Sequence, residues 1–188
     1  MATEMKRQLI LNTSNAGKLQ EFERLFAQYG ITITVQRRDL HEIDADPVTI
    51  VVHKASQLQE DVLVEDTSLE IEGTLVGTNI RWVLNDMPHY VGRKAKWRTL
   101  LAYREGDLVH VFEGQIEGTI VQPRGEEGFG FDPFFLPNNS SLTLAEAKSD
   151  AVNARAKAVE AFVHAQHHSV VHSISQWNGP WQETTSSD

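Results

Sequence analysis

The sequence predicts a single α/β domain with a mixed β-sheet flanked by helices, and three observations carry that prediction. Residues 9–11, 31–35 and 62–65 are short apolar runs of strand length. Residues 19–29 and 48–59 lie between them and repeat apolar side chains at helical spacing. Residues 97–103 and 108–112 read as two strands joined by Arg104-Glu105-Gly106-Asp107, a hairpin signal that brings antiparallel pairing into the sheet.

The elements follow in order. After the first strand, Asn12-Thr13-Ser14-Asn15-Ala16-Gly17-Lys18 is a polar turn. Leu19, Phe22, Leu25 and Phe26 set the face of the first helix, and Gly30 is a natural stop. Residues 39–47 form an acidic loop, with Asp44 or Asp46 near the start of the second helix. Residues 69–76 extend around Gly73, and 80–84 fit helix or strand. Residues 88–93 are loop, 115–121 a further extended segment, and 123–130 loop again. A second strong helix is expected over 144–166, with Ala147, Ala151, Ala158, Phe162 and Ala165 available for packing. A last strand is expected over 170–174, and 177–188 reads as a flexible tail.

Composition narrows the function. The 188 residues suit one domain, 1–188, with 40% hydrophobic and 23% charged residues as in soluble proteins. No apolar run approaches the ~20 residues that span a bilayer. No secretory leader is evident, which leads to the expectation of a cytoplasmic protein without membrane partners. Cysteine is absent, so disulfides and thiolate metal sites are excluded. The net charge of −9 disfavours broad nucleic-acid binding but not a small phosphate ligand. Four of the eight histidines, His164, His167, His168 and His172, crowd the C-terminal stretch, and His164 and His168 have the i, i+4 spacing of a metal pair without an evident third ligand.

Three segments carry chemistry. Val62-Leu63-Val64 runs into Glu65-Asp66-Thr67, acids at a strand end that suit a hard cation such as Mg²⁺. The turn Thr13 to Lys18 offers small residues, a helix N-terminus and a lysine charge to a phosphate, although Ser14 or Asn15 could simply cap the helix. It lacks the Walker A pattern. Gly128-Phe129-Gly130-Phe131-Asp132-Pro133 alternates glycine with aromatics that can stack on a base, or forms an aromatic core corner. Glu42, Asp44 and Asp46 add acidic loop charge.

Taken in order, Thr13–Lys18, Val64-Glu65-Asp66-Thr67, Ile80-Arg81-Trp82, Pro123-Arg124-Gly125, Phe129-Gly130-Phe131-Asp132-Pro133 and Asn153-Ala154-Arg155 resemble the inosine triphosphate pyrophosphatase family, also called Ham1-like. The resemblance covers most of the chain. It implies an elongated mixed β-sheet flanked by helices, with two lobes around a central cleft, and usually a homodimer. It implies hydrolysis of non-canonical purine nucleoside triphosphates (ITP, dITP, XTP) to the monophosphate and pyrophosphate with Mg²⁺, Mn²⁺ being the alternative. The biological role it implies is clearing such nucleotides from the pool. By position, Thr13, Ser14, Asn15, Lys18 and Lys54 would hold the phosphates. Glu42, Glu65 and Asp66 would bind or orient the metal, and Asp66, with Lys18, would be catalytic. Thr67 and Arg81 would contact the nucleotide. Phe129, Gly130, Phe131 and Asp132 would shape the base pocket, with Phe129 or Phe131 stacking. Lys148 and Arg155 would meet the purine edge.

The chain departs from that pattern at several positions. Ser14 replaces the usual glycine of the first loop, and Asn153-Ala154-Arg155 replaces Ser-His-Arg. The family lysine falls on Ser149, with Lys148 one position off, a rotation of ~100° if the segment is helical. Gly77-Thr78-Asn79 replaces a Pro-Gly-containing stretch, and 85–96 is short. These departures leave open a family member acting on another nucleoside triphosphate, or a nucleotide-binding protein with weak turnover.

Overall fold

Strand β1 (Gln8–Asn12) gives way to helix α1 (Ala16–Ala27) at a turn closed by Asn15. The Asn15 side chain accepts the Lys18 backbone N–H at 2.9 Å, satisfying one of the donors that a helix start leaves unpaired. The cap is therefore Asn15, and Ser14 stays exposed. A computed structural model describes residues 8–74, 84–128 and 130–182.

Helix α1 buries Phe22, Leu25 and Phe26. Gly30, at φ +74°, turns the chain into β2 (Thr32–Gln36), which runs parallel to β1 with Leu11 opposite Val35. Helix α2 (Pro47–Ser56) starts at the Asp46 cap with Pro47 in its first turn, where the missing N–H costs nothing. Strand β3 (Val62–Ile71) then pairs parallel with β1, Leu11 opposite Leu63. Strands β4 (Lys94–Glu105) and β5 (Leu108–Ile120) follow, then β6 (Phe135–Pro137), helix α3 (Ala154–Val163) and β7 (Ser169–His172). The sheet is mixed and seven-stranded, ordered β2-β1-β3-β4-β5-β6, with β7 also antiparallel to β5.

The chain divides into two compact units. The first draws on residues within 1–66, 100–113 and 158–188. Its core sets Val51, Val52 and Ala55 of α2 against Val62 and Val64 of β3 and Leu100, Ala102, Val109 and Val111 of β4 and β5. Phe162 of α3 meets Phe26 edge-on at 5.8 Å and Phe112 at 5.2 Å. The second unit draws on 67–99 and 114–157, and its core centres on fully buried Trp97 and Phe135, with Leu69, Ile71, Ile120, Phe131 and Ala154.

Several expected boundaries shift. Strand β3 continues six residues past Glu65, because Thr67, Ser68, Leu69 and Ile71 are all buried despite the polar run. Gly114 does not interrupt β5, so residues 108–112 and 115–121 join in one long strand. The helix expected over 144–166 reduces to α3 at Ala154–Val163. Leu144 N–H donates to Phe135 O and Ala145 N–H to Asp132 O, Glu146 and Ala147 N–H both turn back to Thr143 O, and residues 147–149 are not helical. A short 3₁₀ turn, Asp150–Val152, precedes α3, and Asn153 caps the helix by accepting the N–H of Arg155 at 2.8 Å and of Ala156 at 3.2 Å. The tail is docked through Gln182 rather than free, while 183–188 lie outside the described residues. The segment expected over 80–84 lies outside them too, apart from Leu84.

Candidate active site

Alternation along β3 sends adjacent carboxylates to opposite faces of the sheet. Val62, Val64 and Asp66 look toward α2, and Glu65 toward α1. Each acid meets a lysine from the helix on its own side. Lys18 Nζ donates to Glu65 Oε1 at 2.9 Å. Lys54 Nζ lies 3.5 Å from Asp66 Oδ1 and 2.6 Å from Glu42 Oε1, and it donates to the Glu65 carbonyl at 3.1 Å. The fold thus gathers Glu42, Glu65 and Asp66 around two ammonium groups within the first unit.

Electrostatics sharpen this cluster. Burial pushes the Asp66 carboxyl up to about 7, the Glu42 and Glu65 charges add to the rise, and Lys54 and Lys18 oppose it. Burial alone would lower Lys54, but Asp66, Glu42 and Glu65 outweigh it and hold the ammonium above its ordinary range. Asp66 Oδ2 is buried without a hydrogen-bond partner, so the base-like carboxylate keeps one oxygen uncommitted. Among the described residues no three His, Asp or Glu side chains stand at mutual metal-ligand range. Lys54 instead supplies the counter-charge between Glu42 and Asp66. The all-oxygen donor set and the orphaned Asp66 oxygen fit a hard divalent cation.

The phosphate-type turn lies in the same unit. Buried Thr13 offers its hydroxyl to the Asn15 N–H at 3.2 Å, and its own N–H donates to Gln36 O at 2.9 Å. Asn15 and Lys18 therefore sit at the positive end of α1, with Lys18 reaching Glu65.

A second constellation belongs to the second unit. Lys148 Nζ pairs with buried Asp132 Oδ2 at 2.7 Å. Lys148 lies over the Trp97 ring at 5.5 Å and Arg155 at 5.2 Å, so two cations share one indole. Residues 147–149 are not helical, so the ~100° helical rotation does not apply, and Lys148 reaches Asp132 while Ser149 is exposed. A Cβ on Gly128, at φ +81°, would overlap the Asp132 carboxylate, which explains the glycine. Phe131 packs on Trp97 and Phe135 in the core, and Gly130 is exposed. Ala154, in the position of the family histidine, is fully buried in that core. Thr67 follows Asp66 on β3 and is buried. Arg81 and Phe129 lie outside the described residues.

Trp97, and His41, His53 and Gln182 beside Glu42, join these constellations without any motif in the sequence to mark them. An indole on an alternating strand carries no signal of the cations above it. His164 and His168 do not form a metal pair. Helix α3 ends at Val163, Ala165 adopts φ +52°, His164 packs edge-on to Tyr29, and His168 bonds Ser169. A hollow of about 740 Å³ lined by Glu70, Glu72, Lys94, Lys96, Glu117 and Asn138 holds none of the site residues.

Adjacent acids inside a strand of a mixed α/β sheet, each facing a lysine, together with a helix-capping polar turn, make an arrangement of the phosphate-handling class. The Ham1 family profile matches residues 9–165, and the chain belongs to that family. It is 36% identical over 172 residues to an inosine triphosphate pyrophosphatase of Yarrowia lipolytica, covering 81% of this chain and 92% of the relative. It is 31% identical to a dITP/XTP pyrophosphatase of Methanopyrus kandleri, covering 82% and 93%. In fold it is similar to the solved Staphylococcus aureus Ham1 protein, with a TM-score of 0.60 at 22% identity over 85% of this chain and 99% of that one.

Proposed function

We propose that the chain is a Mg²⁺-dependent nucleoside triphosphate pyrophosphohydrolase acting on ITP, dITP and XTP, releasing the monophosphate and pyrophosphate. The observation that carries this reading is the cluster of Glu42, Glu65 and Asp66 around Lys18 and Lys54, with one Asp66 oxygen uncommitted. The names of the relatives, inosine triphosphate pyrophosphatase and dITP/XTP pyrophosphatase, support the same reaction class.

In this reading Glu42 and Asp66, on the α2 side of β3, hold Mg²⁺, with Mn²⁺ as substitute, and Glu65 on the opposite side orients Lys18. When bound, the ion neutralises phosphate charge and lowers the pKa of water. Thr13, Ser14, Asn15 and Lys18 hold the triphosphate through backbone N–H groups and the ammonium, and Lys54 adds a second positive charge. Asp66 accepts a proton from the attacking water. The water oxygen bonds to the α-phosphorus, the bond to the bridging oxygen breaks, and pyrophosphate leaves with that electron pair. Arg81 and Thr67 contact the nucleotide, and Phe129 supplies the stacking ring, since Phe131 is a core residue. Lys148 and Arg155 donate to a 6-keto purine edge, and adenine, with an amino group there, is refused.

A second reading, a preference for another nucleoside triphosphate, is favoured by Ala154, which places a methyl in the core where the family pattern has an imidazole. Pyrophosphate release across ITP, dITP, XTP, GTP, dGTP, ATP, dUTP and dTTP, beside Asp66→Asn, separates the two. Release from ITP and XTP that the variant loses supports the first reading. Release mainly from another nucleotide supports the second, and binding without release points to a nucleotide-binding protein. A homodimer acting in the cytoplasm belongs to the same proposal, and sedimentation equilibrium of the purified chain checks the dimer.

A further inference from the structure

Glu42 stands on a connection, residues 37–46, that contains neither helix nor extended strand. Its backbone is paired with the C-terminal segment. Asp44 N–H donates to Pro180 O at 2.9 Å and Gln182 N–H to Glu42 O at 2.9 Å. Gln182 Nε2 donates to Ile43 O at 3.0 Å, and Ile43 and Trp181 form an antiparallel bridge.

Side chains close the same seam. The Trp181 indole stacks on His41 at 4.7 Å and meets His53 edge-on at 5.3 Å. His53 immediately precedes Lys54 on α2, and Lys54 in turn reaches Glu42. Trp177 Nε1 donates to Pro180 O at 2.8 Å, and a Cβ on Gly179 would stand 2.7 Å from the Trp177 ring, so the segment also folds on itself. Trp181 itself remains 42% exposed, so it clamps the connection at the surface rather than filling the core.

We propose that residues 177–182 are a strap that sets the position of Glu42, with Trp181 as its positioning residue. The strap fastens the 41–44 backbone to α2 and so fixes Glu42 beside Lys54 and Asp66. A ligand held beforehand loses less conformational freedom when the cation binds. The inference rests on the proposed part of Glu42 in holding the divalent ion, and it goes further by making the C-terminal segment a determinant of ion affinity.

The test compares the full chain with Trp181→Ala, Trp181→Phe and Glu42→Gln. Mn²⁺ affinity by titration calorimetry, amide hydrogen exchange at Asp44 and Gln182, and urea unfolding are measured without substrate. Trp181→Ala should weaken Mn²⁺ binding by about tenfold, as loss of an outer-shell partner does. It should also speed exchange at Asp44 and Gln182, and Trp181→Phe should restore most of both. The Mg²⁺ needed for half-maximal pyrophosphate release should rise in step, with kcat at saturating Mg²⁺ retained.

Unchanged Mn²⁺ affinity in folded Trp181→Ala, with Glu42→Gln weakened, overturns the strap and leaves the Glu42 reading intact. Unchanged affinity in Glu42→Gln overturns the metal reading and the strap with it. Affinity that follows global stability rather than exchange at Asp44 also overturns the strap. Should Trp181→Ala not fold, His41→Ala, which removes the Trp181 stack and the bond to Gln182 O, and Gln182→Ala, which removes the side-chain bond to Ile43 O, answer the same question with the same outcomes.

Discussion

Lys54 Nζ stands 3.5 Å from Asp66 Oδ1 and 2.6 Å from Glu42 Oε1, so a single ammonium group balances two carboxylates from different parts of the chain. The Lys54 pKa is raised in the folded state, so its contribution is fully present at neutral pH and is lost only as pH climbs above the ordinary lysine value of 10.5. Lys54→Met removes that charge and leaves the acids facing one another. Breaking a buried pair in this way costs about 3–5 kcal/mol. The variant should melt lower than wild type, and added Mg²⁺ should raise its melting temperature more than that of wild type.

Asp66 has the same sign as Lys54, because its folded-state pKa is raised too. Its carboxyl is pushed from the ordinary 3.8 up to about 7, so the neutral form is favoured on folding. That stability is complete below pH 3.8 and is lost as pH rises through about 7. Asp66→Asn should flatten this part of the pH–stability curve of the metal-free protein. As a proton acceptor Asp66 must be ionised, so kcat/KM should rise with pH and level off at or below about 7, since a bound cation favours the carboxylate. The variant should lose roughly 10²–10⁴-fold in rate.

Lys148 neutralises an Asp132 that is almost wholly buried. Lys148→Met should therefore destabilise the protein by about 3 kcal/mol, measured by urea unfolding. Lys148→Met combined with Ser149→Lys should not recover, because position 149 is exposed in a non-helical segment. The KM for ITP should rise in both variants.

Asp46 caps α2 by accepting from the Thr49 hydroxyl at 2.6 Å and the Thr49 N–H at 3.1 Å. Burial is the largest single influence and raises its pKa, but hydrogen bonds from the Thr49 side chain and from the backbone at Thr49, Asp46 and Val48 together outweigh it and hold the carboxyl below 3.8. The stabilisation is present above that value and fades as pH falls through the lower folded-state pKa. Asp46→Ala should lose about 1 kcal/mol at neutral pH, and the gap from wild type should close in acid.

Much of this was legible in the chain. Leu9-Ile10-Leu11, the Phe22 to Phe26 face and the Val62 to Val64 run each carry their own period, and Asn15 and Asp46 their own capping chemistry. Residues 144–153 misled because alanine spacing resembles a helix face. There the N–H groups of Leu144 and Ala145 bond to the chain at Phe135 and Asp132 instead. The same contacts decide that Lys148, not Ser149, faces Asp132.

The sequence by itself determined the α/β class, the capped polar turn and the family, because these depend on neighbours within a few residues or on ordered motifs, whereas the acids expected at a strand end lie inside β3. Only the tertiary structure decided that Glu42 meets Lys54 and that Trp181 clasps the Glu42 segment. It likewise placed Lys148 and Arg155 over one indole. Those pairings join residues far apart in the chain, and no local spacing encodes which distant side chain will supply a buried charge with its partner.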